Sequence, residues 1–173
     1  TNVHNLSAAV NPSSSGDIYV TQGSNPLNLT SISTPGAGVF NLTASGAVTQ
    51  SGAITAAGLE LLGTGPYTLT NASNNITTLA GNTGAISFRD TNGFAIGTVN
   101  TVGLTSSGNI TLQAGGNITS TPTTGTITAN LLDMTVTGLA SSIGAEGSPL
   151  LINATTLKAT TNKGHIIVKD SAG

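Results

Sequence analysis

The sequence predicts an all-β chain, a single-stranded parallel β-helix (β-solenoid) of roughly eight or nine coils. Three observations carry this. Short stretches alternate apolar and polar residues with the period of a strand. Gly- and Asn-rich pairs punctuate them, and the chain repeats itself over distances far longer than one strand.

The strands are expected, in order, at 17–20, 27–30, 39–42, 67–69, 76–79, 110–112, 127–129, 134–136 and 166–168. Thr, Val and Ile favour such positions because β-branched side chains suit a pleated surface. Gly-Asn, Gly-Gly, Asn-Gly and Ser-Gly pairs separate the strands and mark the corners. The run 53–62 has some helix propensity, but Gly58 interrupts it and the repeat places strands there. No helix is expected.

The longest self-similarity pairs positions 38–49 (GVFNLTASGAVT) with 108–119 (GNITLQAGGNIT). It continues backward, with Leu29 matching Val99 and Ile32 matching Val102. After a short insertion it continues forward: 52–56 matches 125–129, and Leu59-Glu60-Leu61 matches Leu132-Asp133-Met134. A second block occurs three times, beginning at Gly16, Gly84 and Gly164, with unequal spacings. Units of about 70–80 residues would each hold three or four coils of about 20 residues. Residues 1–173 thus read as one continuous β-solenoid segment, a fragment of a longer chain. The expected inward positions are Ile18, Val20, Leu27, Leu29, Val39, Leu42, Val48, Ile54, Leu59, Leu61, Leu69, Ile86, Phe88, Leu112, Ile118, Ile127 and Leu132. Asn75, Asn109 and Asn117 read first as turn residues, with stacked amides bonding adjacent coils as the alternative at each.

Composition narrows the class. Only 6% of residues are charged, with a net charge of -2, against about 25% in an ordinary soluble domain. Solubility must rest on hydroxyls and amides. The apolar fraction of 37%, regularly placed, argues against disorder. No Cys is present, which removes disulfides and thiolate metal sites. No apolar run is long enough for a transmembrane helix, and residues 1–10 do not read as a signal peptide. Five aromatic residues cannot build the girdles of a membrane barrel.

Residues 105–119 (TSSGNITLQAGGNIT) resemble the repeats of filamentous-haemagglutinin-like adhesins, as do residues 37–55. Residues 142–151 followed by 157–168 look like the linker-and-strand pattern of very large bacterial surface adhesins of that group. The resemblance covers most of residues 16–170. It implies a right-handed β-helix exported from a Gram-negative bacterium by two-partner secretion or as an autotransporter passenger. It also implies an extracellular or cell-surface location and an outer-membrane secretion pore as partner of the parent chain. The Asn-Pro-Asn-type motifs of the family's secretion domain are not evident, since Asn11-Pro12 and Asn25-Pro26 are isolated pairs. The segment would be shaft.

Sites of chemistry are nearly absent, and no catalytic, cofactor-binding or metal-binding residue is expected. Asp17, Glu60, Asp90, Asp133, Glu146 and Asp170 are scattered, whereas β-helix lyases and hydrolases need clustered carboxylates. Glu60 and Asp133 match in the repeat and are expected at the same solvated outer position of separate units. Arg89-Asp90 reads as a turn. His4 and His165 lack the company for a zinc site or a triad. Lys158, Lys163 and Lys169 form at most a weak basic spot with His165, too little for nucleic acid. The eight Asn-x-Ser/Thr sequons, at Asn5, Asn28, Asn41, Asn71, Asn75, Asn109, Asn117 and Asn153, are explicable by composition.

The expected function is a non-catalytic structural and adhesive shaft, with host or cell-surface glycans or proteins as partners. A self-associating extracellular filament or matrix protein is the alternative. A carbohydrate-cleaving or ice-binding β-helix ranks lower. The ice-binding case would need the Thr-x-Thr triplets at 68–70, 126–128 and 135–137 in register, and their spacing is not constant.

Overall fold

The computed structural model describes residues 3–13, 15–121 and 125–171. Its strands are β1 (Asn5–Ala9), β2 (Ile18–Gln22), β3 (Leu27–Ser33), β4 (Val39–Ala44), β5 (Val48–Gln50), β6 (Ile54–Gly63), β7 (Tyr67–Leu69) and β8 (Asn75–Thr83). They continue with β9 (Ile86–Asp90), β10 (Phe94–Ile96), β11 (Leu104–Ser106), β12 (Ile110–Ala114), β13 (Ile118–Ser120), β14 (Ile127–Leu139), β15 (Leu150–Asn162) and β16 (Val168–Asp170). No helix occurs among the described residues. The run 53–62 lies almost wholly in β6, as the repeat required. Segments 127–129 and 134–136, expected as two strands, are joined in β14. Of 166–168, only Val168 lies in a strand, while Ile166 makes an isolated parallel bridge to Ile143.

Every pairing between these strands is parallel, and strands away from the two ends stack on the coil before and the coil after. Register resolves three ladders. The first runs Leu27–Val48–Tyr67–Ile86–Ile110–Leu132–Leu157. The second takes Ala8–Ile32–Ile54 and, further along, Phe94–Ile118–Ile143–Ile166. The third runs Ile18–Phe40–Leu59–Leu79–Ile96. Two residues on, the third ladder continues from Leu61 through Gly81, Leu104 and Ile127 to Ile152. The chain visits the ladders in rotation, so each coil has three walls.

The solenoid makes about seven turns rather than eight or nine. A coil of about 20 residues fits the first half and is too short for the second. One early coil carries the chain from Phe40 to its ladder partner Leu59. Later coils carry it from Ile86 to Ile110 and from Leu132 to Leu157, which are longer steps. The extra residues lie in excursions from the wall, which a loop accommodates at small entropic cost.

The core is the stack of inward side chains. Of the 17 expected inward positions, 14 are buried. Ile18 and Val20 are only half-buried, because the first coil has a neighbour on one side. Val39 points outward. Strand period makes Phe40, Leu42 and Ala44 the inward set, so Val39 and Leu42 cannot share a face. Gly63 stands where the wall turns, at φ 95°, and a Cβ there would collide with the Ala44 carbonyl of the coil beneath. Only glycine fits both conditions.

Two corners are polar inside. At one, the Tyr67 hydroxyl donates to the Leu42 and Leu62 carbonyls at 3.0 and 2.7 Å, and burial pushes its phenol pKa up. Thr83 and Ser106 donate on the next coils to the Gly65 and Gly84 carbonyls. At the other, Gln50 and Asn74 exchange amide hydrogen bonds of 2.7 and 2.9 Å. Asn74 also donates to the Leu69 and Arg89 carbonyls and accepts from the Ile54 amide. Asp90 completes this corner, accepting from the Ile76 and Asn92 amides at 2.9 and 2.8 Å. No buried side-chain polar atom among the described residues lacks a partner, as a low-dielectric interior demands.

Candidate functional site

The wall outside the third ladder differs from the other two. Its outward row runs Tyr19–Asn41–Glu60–Ala80 over four successive coils. On the fifth coil Ile96 and Leu104 pair with Leu79 and Gly81, which flank Ala80. The whole segment 97–103 therefore stands where the coil below has the single residue Ala80. It leaves the wall through a narrow neck, closed by the Gly103 amide donating to the Gly97 carbonyl at 2.8 Å. Thr98 and Val102 form an antiparallel bridge, so the excursion is a small hairpin.

The hairpin lies back over the wall. Val99 packs where Gly58 has no side chain, next to Val39. The Asn100 side chain donates to Glu60 Oε2 at 2.8 Å, and the Thr101 amide donates to Glu60 Oε1 at 2.6 Å. Asn41 donates to the same carboxylate from the coil on the other side. Glu60 and Ala80 are thereby fully buried although both point outward. Burial on its own would raise the Glu60 pKa, but the hydrogen bonds from Thr101, Asn100 and Asn41 outweigh it and hold the carboxyl below its ordinary range. Tyr19 stays 64% exposed at the end of this row. The charge of Asp17, and a hydrogen bond to it of 3.2 Å, hold the Tyr19 phenol above its ordinary value.

Two shallow grooves lie on the outer surface, the smaller against the hairpin. One, of about 220 Å³, is lined by Ala37, Val39, Ala57, Gly58, Thr77, Thr78, Thr98 and Val99. The other, of about 430 Å³, is lined by Thr77, Gly93, Phe94, Ala95, Asn117 and Thr119. They share Thr77, and no ionisable side chain lines either. This surface offers hydroxyls, amides and small apolar patches, suited to a neutral ligand. It holds no nucleophile–base pair.

The remaining sequence candidates are dispersed. Glu60 is not the solvated outer residue expected, and it is not equivalent to Asp133. Asp133 lies outside the first ladder, on a different wall, and pairs with exposed Lys158 at 3.0 Å. Asp90 is no turn residue. It ends β9 with its side chain inward and 1% exposed, while Arg89 points out. Burial raises the Asp90 pKa, opposed in part by the Ile76 and Asn92 amides. Asp17 accepts from the Val39 amide at 2.8 Å. Glu146, Asp170, His4 and His165 are exposed. Lys158, His165 and Lys169 fall on or beside three different ladders, so no shared basic face forms. Among the described residues no group of three His, Asp or Glu could hold a metal.

The eight sequon asparagines all lie outside the core. Of the alternative amide stacks, Asn75 accepts from Asn92 at 3.4 Å and Asn117 accepts from the Ser142 amide at 2.7 Å. The clearest outer stack lies elsewhere: Asn28 donates to Asn5 on one side and to Ser51 on the other. Thr68 and Thr135 face out from the first ladder and Thr128 from the third, so the Thr-x-Thr triplets form no array. Part of the inserted stretch after Thr119, residues 122–124, lies outside the described residues.

Residues 15–83 match a family model described as repeats of unknown function (DUF5649). The match takes in four coils of the third ladder, with Asn41 and Glu60, and stops before the hairpin. No curated protein matches the chain, and no solved structure matches it.

Proposed function

We propose that the chain is a non-catalytic structural and adhesive shaft of a secreted or cell-surface bacterial adhesin. The observation that carries this reading is the unbroken parallel stacking of coils behind a wall almost without charge. Each coil adds about 4.8 Å of length, so length grows in proportion to sequence. The carboxylates support a structural role, since buried Glu60 and Asp90 are taken up by amide donors and half-buried Asp133 by Lys158. The resemblance of residues 105–119 to haemagglutinin-type repeats supports an exported, surface-attached parent with a secretion pore as partner. Adhesion would use the two outer grooves, whose hydroxyl and amide lining suits uncharged cell-surface glycans or protein segments.

A second reading, a self-assembling extracellular filament, is favoured by one observation. The exposed apolar side chains Ile166 (45%) and Leu157 (36%) lie on the last turn, at the ends of two ladders, where a stacked second copy would cover them.

Electron microscopy of the purified chain separates the two. Single rods of about 34 Å, from seven turns at about 4.8 Å each, that decorate intact cells support the shaft. Regular end-to-end polymers support the filament. Single rods that bind no cell surface would remove the adhesive half of the proposal.

A further inference from the structure

We propose that residues 97–103 are a strap, held shut across the outer wall by the ionised side chain of Glu60 and released by acid.

The geometry confines what can hold it. The neck is anchored, because the Gly97 amide donates to the Leu79 carbonyl and the Gly81 amide donates to the Gly103 carbonyl. The strap's own apolar side chains are Val99 and Val102. Val102 is 54% exposed, so Val99 against Gly58 and Val39 supplies the apolar contact with the wall. The polar hold centres on the Glu60 carboxylate, reached by Thr101 and Asn100 from the strap and by Asn41 from the wall, with Asn100 also bonding the Tyr19 phenol. A charged acceptor strengthens each of these bonds.

Protonation breaks this arrangement. A carboxylic acid brings a hydrogen that needs an acceptor, and the neighbours, the Thr101 hydroxyl among them, now donate to the carboxylate. The Thr101 hydroxyl, or the Asn41 or Asn100 amide, would have to turn over to accept it, giving up its own donation, and the bonds that remain lose their charged acceptor. The titratable groups facing Glu60 are Tyr19 of β2 and, through it, Asp17 just before that strand. Beyond Glu60 itself, β4, β6, β8 and the strap carry no titratable residue. Tyr19 is neutral throughout the acid range, and Asp17 bonds the Tyr19 hydroxyl and the Val39 amide, outside the strap. Glu60 is the carboxylate that the strap's own donors reach.

The folded pKa of Glu60 lies below its ordinary value of 4.5. The hold is thus complete above the ordinary value and is lost as pH falls through the lower folded value. Opening uncovers Gly58, Glu60 and Ala80 and merges the smaller groove with the outer row.

Nuclear magnetic resonance of the whole chain from neutral pH down into the acid range tests this. The Glu60 side-chain carboxyl carbon, the Val99 methyls and the Thr101 amide should move with one midpoint, below the ordinary glutamate value. Protection of the Thr101 amide should fall at least tenfold, while core amides such as Leu69 and Phe88 keep theirs. Glu60→Gln should leave Val99 and Thr101 in their acid positions at every pH. Asn100→Ala, which keeps the carboxylate, should move the midpoint upward. Glu60 titrating while Val99 and Thr101 stay still would overturn the proposal. So would a Glu60→Gln chain with a wild-type strap, or an Asn100→Ala chain with an unmoved midpoint.

Discussion

Glu60 and Asp90 are both carboxylates with almost no exposure, 0% and 1%, yet their surroundings push them in opposite directions. Glu60 points out of the wall and is covered from outside by a hairpin far along the chain. Two side-chain amides, the Thr101 backbone amide and the Thr101 hydroxyl converge on it. Asp90 points into the corner between the first and second ladders, where only two backbone amides reach it. Desolvation acts on both. Donors from three residues outweigh it at Glu60 and lower the pKa, while two amides fail to do so at Asp90, which lies deeper in the protein, and the pKa rises. Depth and the number of aimed donors together decide which form each site prefers.

The sharpest way to break the inner site is to remove its hub. Asn74→Ala strips the partners of the Gln50 amide and the Ile54 N–H in a dry corner, and should cost about 3 kcal/mol in chemical denaturation. An unchanged midpoint would mean that water replaces the amide. At the outer site, Glu60→Gln should destabilise the strap by about 2 kcal/mol, as expected for bonds to a charged group, and leave the global unfolding midpoint nearly in place. Local hydrogen exchange against global denaturation checks that split.

Asp90→Asn sharpens the contrast in pH. It should cost about 1 kcal/mol near neutrality, where the asparagine offers only one accepting oxygen to two amides. A raised folded pKa means that the native state binds the proton more readily than the unfolded chain. The wild type should gain stability relative to the variant as pH falls through the raised value towards the ordinary 3.8. The wild-type strap should loosen as pH falls below 4.5, the ordinary glutamate value, towards the lower folded value of Glu60. Denaturation of both chains across that range would show whether the two signs differ.

The smallest effect belongs to Lys158→Ala. It breaks an ion pair whose side chains are 66% and 28% exposed, and should cost about 0.5 kcal/mol or less. A larger loss would show that the Asp133 wall is coupled to the core.

Much of the fold is legible locally. Alternation at 27–30, 67–69 and 110–112 marks real strands, and Gly58 rightly argues against a helix at 53–62. The wall row is not legible. Val39 is apolar and close to Leu42, which suggests an inward position, but strand parity places Phe40 inside and turns Val39 out to meet Val99. Glu60 looks solvated because its neighbours in sequence form an ordinary strand. The residues that bury it, Asn100 and Thr101, lie two coils on. The one local hint is the stretch 97–103, a glycine-bounded run of uncharged residues between two strands.

The repeats teach the same point. Phe40 and Ile110 match in sequence, but Phe40 sits on the third ladder and Ile110 on the first. Ile18, Ile86 and Ile166 follow the three matching glycines and land on the third, first and second ladders respectively. By itself the sequence determined the unit of construction: a glycine corner, a short strand of period two, and an uncharged outer face. Those features depend on residues a few positions apart. Which wall each unit forms, and which outward carboxylate becomes buried, only the tertiary structure decided. The three walls present the same local geometry, so a corner-and-strand motif fits any of them. The ladder it joins is set by the total number of residues in the preceding coil, summed over loops and excursions that no short motif records.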